Sequence, residues 1–314
     1  DGYSDEELSL IEKEGLFVIQ GIEIDLRGDT GNPEFVRKSL QHVDRVVKPG
    51  VRHRNILMVL VMNEPPTETI LKAGEPKFLE FLCKLRDCVR ELHPGVPVSF
   101  SNTCIGEFLD PSIWDATAFN LYMYNPVTVK EILGYRGYLE WLRRKSPSVP
   151  LVVTEFGLSV SQAGEGRFGY GGNTPEEQAE GDLWMLKSLL EAGTDGSCVF
   201  NYADGWWKNG NTPNDEATHD DEPEEWYGLI GYESKTDEGG TPRPAFEAMK
   251  NANRALWIAP VSWREYPQNI PIEVYSTPEV TAVGLETASG TRIDLKRQGH
   301  WWRATMPASG LAPV

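Results

Sequence analysis

Two glutamates follow apolar segments at positions where their carboxylates could work together. Glu64 lies in Asn63-Glu64-Pro65, directly after the apolar run 56–62, and Glu155 lies in Glu155-Phe156-Gly157, directly after the run 151–154. Two carboxylates at close range can cleave a glycosidic bond with retention of configuration. One attacks the anomeric carbon, and the other protonates the leaving oxygen and later activates water. The fold would have to bring these distant residues together.

The elements that would position the two glutamates alternate along the chain. Predicted strands are 16–24, 56–62, 96–101, 116–122, 151–154 and 197–202. The predicted helices begin at Asn32-Pro33, at about 75, at about 128, at Thr174-Pro175 and at 245. Strict β/α alternation with buried strands indicates a parallel sheet wrapped by helices, either doubly wound or closed as a barrel. The carboxyl ends of barrel strands form the rim where catalytic groups converge, so both glutamates would point into one mouth.

The two glutamate motifs together resemble a known family. Met62-Asn63-Glu64-Pro65 is similar to the end of the fourth strand in clan A glycoside hydrolases, and Val153-Thr154-Glu155-Phe156-Gly157 is similar to the end of their seventh strand. The resemblance covers about residues 5–257 and implies a (β/α)8 TIM barrel. Six predicted strands are two fewer than such a barrel needs. We therefore expect an N-terminally incomplete barrel of about six βα units, trimmed from a longer protein.

The resemblance also implies a role for each residue near the rim. Glu64 would be the general acid/base and Glu155 the nucleophile, while Asn63 would hydrogen-bond the sugar 2-hydroxyl. Tyr122 or Tyr124 would hold the nucleophile, with Tyr122 preferred. Trp206 or Trp207 would form an aromatic platform under the reacting sugar. An ionised Glu155 about 5 Å away would raise the pKa of Glu64, so that one carboxyl keeps its proton near neutral pH.

After residue 257 the alternation of predicted strands and helices ends. Short, partly alternating runs at 270–275, 280–285, 291–295 and 301–306 are separated by turn residues, as in a β-sandwich. The segment is about half the length of an immunoglobulin-like domain of about 100 residues. We therefore predict two domains, a partial barrel over 1–257 and a truncated, immunoglobulin-like all-β segment over 258–314, with Trp301 and Trp302 exposed.

The charge and the apolar content of the sequence limit which classes of molecule the chain could bind. Thirty Lys and Arg against 47 Asp and Glu give a formal net charge of −17, which would repel a nucleic-acid backbone. No apolar stretch is long enough to span a membrane. The acidic run 215–225 lacks the regular ligand spacing of a calcium loop, so we interpret it as a solvated lid that disfavours anionic sugars. We expect a β-linked, neutral glycan as partner and neither a metal nor an organic cofactor.

These observations favour a retaining glycoside hydrolase that cleaves β-linkages in a poly- or oligosaccharide by double displacement. A carbohydrate-binding pseudoenzyme and a transglycosylase on the same fold are the alternatives. The N-terminal sequence has no signal-peptide pattern and four cysteines do not fix a redox compartment. A secreted or periplasmic location is our working hypothesis, and the sugar, the linkage and the oligomeric state stay open.

Overall fold

The computed structural model describes residues 2–125, 127–128, 133–205, 208, 220–232, 237–260, 269–287 and 290–307. The chain divides into two compact units. The first consists of Asp1–Phe156 and Glu191–Cys198, and the second of Gly157–Leu190 and Val199–Val314. Among the described helices, none combines the length and the apolar character that crossing a membrane requires.

A six-stranded parallel sheet is the framework of the first unit, and it fits an incomplete TIM barrel. The strands are hydrogen-bonded in chain order, as successive βα units require. They are β1 (Val18–Gly21), β2 (Ile56–Asn63), β3 (Val98–Asn102), β4 (Thr117–Asn120), β5 (Leu151–Phe156) and β6 (Gly196–Val199).

Seven α-helices are present among the described residues. They are α1 (Asp5–Lys13), α2 (Pro33–Val47), α3 (Thr67–Ala73), α4 (Glu75–Leu92), α5 (Gly134–Lys145), α6 (Pro175–Ala192) and α7 (Pro244–Ala252). Of these, α2, α4, α6 and α7 begin close to their predicted positions. The Asn32 side chain caps α2 by accepting from the backbone N–H groups of Glu34 and Phe35. Thr174 and Glu177 form the predicted capping box in front of α6.

The core of the first unit lies between its sheet and its helices. Successive residues of β2 point to opposite faces, so Val59 and Val61 pack with residues of α2 and α4, whereas Met58 and Leu60 pack with Ala118 on the other face. Helix α4 contributes one apolar stripe at helical spacing. Its buried residues are Phe78, Phe81, Leu82, Leu85 and Val89.

Several predicted boundaries differ from the structure. The predicted strand 16–24 is a strand only over β1, and 116–122 only over β4. Directly beyond them, the backbone N–H groups of Ile22 and Leu121 still donate to the neighbouring strands, but the regular ladder ends there. Helix α3 was not predicted, since its seven residues are too few to show a helical period. Helix α5 begins at Gly134 rather than at about 128, although residues 129–132 lie outside the described part.

The second unit contains α6, α7 and antiparallel strands. Strands β9 (Leu256–Ile258), β10 (Asn269–Ser276), β13 (Lys296–Gln298) and β14 (Trp301–Pro307) form a sheet in the order β13-β14-β10-β9. Two further pairs join β7 (Ile230–Gly231) to β8 (Thr241–Pro242) and β11 (Gly284–Glu286) to β12 (Arg292–Asp294). In the described residues after 258 the regular structure is therefore antiparallel β-sheet, in agreement with the predicted all-β segment.

The predicted exposure of Trp301 and Trp302 was wrong. Both side chains are buried, with 7% and 5% of their surface exposed. The indole N–H of Trp302 donates to the Ser276 hydroxyl at 2.8 Å, and the ring packs with Val274 and Met306. Trp302 belongs to the hydrophobic cluster of this sheet, whereas Trp301, on the opposite face of β14, packs edge-on against Tyr275. A large aromatic surface is stabilised by burial when its polar N–H finds a partner, as in Trp302.

Candidate active site

Glu64 lies directly after β2 in a backbone conformation that few residues adopt. Its φ angle is 46°, in the left-handed region where a side chain with a Cβ is disfavoured. The Glu64 backbone N–H donates to the Ser101 carbonyl of β3 at 2.9 Å, which holds the residue against the neighbouring strand. Backbone strain of this kind persists only where the surroundings over-determine it, and it concentrates at functional sites.

Both strands that carry a glutamate contain one extra residue just before it. Between β2 and β3 the pairing passes from Leu60↔Ser99 to Asn63↔Ser101. Between β4 and β5 it passes from Phe119↔Val153 to Asn120↔Glu155. Each irregularity is a bulge, and a bulge changes the direction in which the following side chain points. The register therefore places Asn120 opposite Glu155 at the carboxyl edge of the sheet.

The Asn120 side chain connects the ends of three strands. It is buried, with 2% of its surface exposed. Its Nδ2 donates to Glu64 Oε1 at 2.8 Å and to Asn63 Oδ1 at 3.0 Å. Its Oδ1 accepts from the Thr154 hydroxyl at 2.7 Å, and Thr154 precedes Glu155 in β5. The Asn120 amide therefore links Glu64, after β2, to the strand β5 that carries Glu155.

Tyr122 is hydrogen-bonded to the second glutamate. Its hydroxyl donates to Glu155 Oε2 at 2.7 Å, the length of a charge-assisted hydrogen bond. The Tyr122 ring stacks on Tyr124, with centroids 5.2 Å apart. The turn beneath it is fixed, because the Tyr122 backbone N–H donates to Asn125 Oδ1 and its carbonyl accepts from the Thr128 hydroxyl. The phenol is thereby held in place to donate to Glu155.

An open cleft of about 390 Å³ lies at this edge of the sheet. That volume is in the range of small-molecule binding sites, which is about 300–1,000 Å³. Among the described residues, its polar lining is Glu23, Asn63, Ser101, Thr154, Glu155 and Cys198, and its apolar lining includes Ile22, Leu60 and Met62. No Lys or Arg is among the described residues that line it. The cleft therefore combines carboxylates and neutral hydrogen-bonding groups on an apolar floor.

Two thiols lie near the glutamates and are held in the protonated form. The pKa of Cys104 is raised above its ordinary value, first by burial and also by the charge of Glu64. The pKa of Cys198 is raised by loss of hydration and then by the charge of Glu155. A neutral thiol is a poor nucleophile and a poor metal ligand. No group of side chains suited to holding a metal ion occurs in the described part of the chain.

The structure brings most of the predicted site residues together. Asn63, Glu64, Tyr122, Tyr124 and Glu155 all lie at the carboxyl edge of the sheet in the first unit. Trp206 and Trp207 lie outside the described residues. Sequence reasoning missed Asn120 and Thr154. One signal was present, because Asn120 ends a strand two residues before Tyr122 and therefore shares its face.

Comparison with solved structures finds β-glucuronidases whose fold is similar to that of this chain. The β-glucuronidase of Ruminococcus gnavus, in complex with a C6-substituted uronic isofagomine, matches with a TM-score of 0.61 and 16% identity over 80% of this chain. A β-glucuronidase from an uncultured Clostridium sp. matches with a TM-score of 0.59 and 17% identity over 80% of this chain. Both are clan A glycoside hydrolases. Over the matched residues this chain shares their fold, as an incomplete TIM barrel.

The match covers only part of the larger neighbours. This chain spans 42% of the length of each of these two structures. No protein-family model matches the chain, and no curated protein matches it. At 16–17% identity the likeness establishes a shared fold, and the chemistry has to be argued from the site itself.

Proposed function

We propose that the chain carries the catalytic site of a retaining glycoside hydrolase that cleaves β-linkages in a poly- or oligosaccharide. The observation that carries this proposal is the single hydrogen-bond network at the sheet edge, in which Asn120 bonds Glu64 and lies opposite Glu155. Two carboxyl groups held about 5–5.5 Å apart are the requirement for a retaining mechanism.

In the first step, a carboxylate oxygen of Glu155 attacks the anomeric carbon. The bond from that carbon to the leaving oxygen breaks, and the leaving oxygen takes the proton of the Glu64 carboxyl. Tyr122 donates to the other side of the nucleophile at Glu155 Oε2, so it orients the carboxylate and keeps it ionised. Asn63 would hydrogen-bond the sugar 2-hydroxyl, and this contact would strengthen as the oxocarbenium character develops.

In the second step, water attacks the anomeric carbon of the glycosyl–Glu155 ester. Glu64, now a carboxylate, takes a proton from that water, and the bond between the sugar and Glu155 breaks. The sugar leaves with its original configuration, and both glutamates return to their starting protonation states. If a sugar hydroxyl replaces water in this step, the same site performs transglycosylation.

We propose a neutral sugar rather than a uronate as the preferred substrate. The neighbouring structures include a β-glucuronidase in complex with D-glucuronic acid. In this chain the described lining of the cleft carries carboxylates, among them Glu23 and Glu155, and no Lys or Arg. A sugar carboxylate there would lose hydration without gaining a cationic partner, so its binding would be unfavourable.

The test is covalent labelling by a panel of activated 2-fluoro-glycosides, followed by peptide mass spectrometry. A neutral β-glycoside is expected to label the peptide that contains Glu155, and the glucuronide is expected to label it more slowly. Glu155→Ala should abolish labelling and turnover, with partial rescue of turnover by azide. Glu68→Gln changes an exposed glutamate of α3 and is the matched control.

Two results would contradict the proposal. Labelling of a residue other than Glu155 would remove the assigned nucleophile. Glycan binding without any turnover or labelling would favour the pseudoenzyme alternative.

We propose that the C-terminal strands are part of an immunoglobulin-like fold and that this segment is accessory to the catalytic site. The four-stranded antiparallel sheet and the separate β11–β12 pair are consistent with part of such a sandwich. Lys187 of α6 forms a buried ion pair with Glu273 of β10, and Arg303 of β14 bonds the same carboxylate. These contacts fix the strands to a helix of the same unit.

A further inference from the structure

We propose that Asn120 is a positioning residue that decides which oxygen of Glu64 carries the catalytic proton. The inference rests on the proposed function, in which Glu64 is the acid/base. It starts from the three hydrogen bonds of one buried amide, to Asn63, Glu64 and Thr154.

Thr154 and Glu64 together fix the orientation of the Asn120 amide. The Thr154 hydroxyl donates to Oδ1, which leaves both hydrogens of Nδ2 for Asn63 Oδ1 and Glu64 Oε1. The reversed amide would set its oxygen against two other oxygens, one of them on a carboxylate. Since a buried amide gains little from water, that arrangement is strongly disfavoured.

The hydrogen bond from Asn120 makes the two carboxyl oxygens of Glu64 unequal. In a protonated carboxyl the carbonyl oxygen is a stronger acceptor than the hydroxyl oxygen, so the Asn120 N–H that faces Oε1 favours Oε1 as the carbonyl oxygen. The acid proton is therefore carried by Oε2, and that oxygen is the one that protonates the leaving group. The same amide also donates to Asn63 Oδ1, so the Asn63 NH₂ group lies on the other side of that side chain as a donor.

Asn120→Ala removes the donor, and the first readout is the dependence of rate on the leaving group. A phenyl glycoside needs protonation, whereas a dinitrophenyl glycoside leaves without it. We expect kcat/KM to fall about ten- to a hundredfold for the phenyl substrate, as for loss of a hydrogen bond to a charged group. The dinitrophenyl substrate should change by less than about threefold. Equal losses on both substrates would overturn the proposal.

Thr154 gives a matched pair of variants that leaves Asn120 in place. Thr154→Val keeps the shape of the side chain but removes the hydroxyl, so the amide loses the partner that orients it. We expect kcat/KM of Thr154→Val to fall selectively for the phenyl glycoside, as in Asn120→Ala. In Thr154→Ser, which keeps a hydroxyl, most of that kcat/KM should be retained. A Val variant that behaves like the Ser variant would contradict the orienting role. Thermal unfolding of every variant identifies any that fails to fold.

A second measurement does not depend on turnover. The pKa of Glu64 can be followed by the carbon-13 resonance of its carboxyl, assigned by comparison with Glu64→Gln. Hydrogen bonding by Nδ2 favours the ionised form, so the pKa of Glu64 should rise by about one unit in Asn120→Ala. Among the described residues, Cys104 after β3 interacts electrostatically with Glu64, and Tyr122 and Glu155 lie at the same edge of the sheet. All three stay unchanged in this variant.

The two measurements separate the possible failures. An unchanged pKa of Glu64 in Asn120→Ala overturns the positioning role, whatever the activity. A raised pKa in a protein that turns over no glycoside supports the positioning of Glu64 and contradicts the proposed function.

Discussion

The hydroxyl of Tyr122 offers the sharpest test of the proposed nucleophile. Tyr122→Phe removes one oxygen atom and keeps the ring that stacks on Tyr124. The lost contact is the 2.7 Å hydrogen bond to Glu155 Oε2. Because the acceptor is a carboxylate, the hydrogen bond stabilises it by about 1.5–3 kcal/mol. The corresponding loss in kcat/KM is about ten- to 150-fold.

The assay compares kcat/KM on an activated aryl glycoside with the rate of labelling by its 2-fluoro analogue. Both processes require attack by Glu155, so both should slow by a similar factor. Tyr135→Phe is the matched control, since the Tyr135 hydroxyl donates to the Leu121 carbonyl at 2.9 Å, in the same part of the first unit. That change should lower stability by about 1 kcal/mol without a selective loss of labelling.

One result would refute the reasoning about Tyr122. Suppose that the 2-fluoro glycoside labels Tyr122→Phe at a rate within about twofold of its rate on the unsubstituted protein. The hydrogen bond then does not contribute to nucleophilic attack, and Glu155 must be oriented in another way.

Two further predictions concern stability and are measured by urea unfolding. Arg243→Met should lower the free energy of unfolding by about 3–5 kcal/mol, because it leaves the fully buried carboxylate of Asp204 without its bidentate partner; a change below 1 kcal/mol would contradict this. The Asp182 pKa is raised well above its ordinary value by complete burial in α6. The folded state therefore holds a proton that the unfolded state releases, and stability should fall as pH rises above about 4. Asp182→Asn should flatten that slope, and an unchanged profile would contradict the assignment.

Much of the fold could be predicted because local signals and burial agree. The run 56–62 lies within β2, and the predicted helix 75–92 coincides with α4. Caps at Asn32 and Thr174 begin their helices as predicted. In these segments an apolar period and a terminal signal indicate the same boundaries, which is the condition under which sequence patterns are reliable.

The C-terminal strands show where the pattern was insufficient. Tandem tryptophans in a short segment were expected to be exposed, but Trp301 and Trp302 are both buried. The exposure of an aromatic residue depends on what packs against it, and the neighbours of Trp302 come from β10 and from the end of β14. Those long-range contacts are not recorded in the local sequence.

The sequence predicted which strands carry the site residues, but it did not predict the hydrogen bonds that join those residues. That Glu64 and Glu155 each end a buried strand follows from the sequence. The contact of Asn120 with Glu64 depends on the register, and one extra residue in β5 places Glu155 rather than Thr154 opposite Asn120. Each bulge shifts the side-chain alternation only over the last residues of its strand, too few for a sequence pattern to show the shift.

The departures from regular structure are concentrated at the residues proposed to do chemistry. The bulge in β2 and the left-handed backbone of Glu64 lie within a few residues of each other, and the bulge in β5 lies just before Glu155. A regular parallel strand alternates its side chains between the two faces, so it cannot by itself place consecutive residues on one side. Asn63 and Glu64 are consecutive, yet both accept from the same Asn120 nitrogen. The strained backbone at Glu64 is therefore the local feature that lets two neighbouring side chains reach one site.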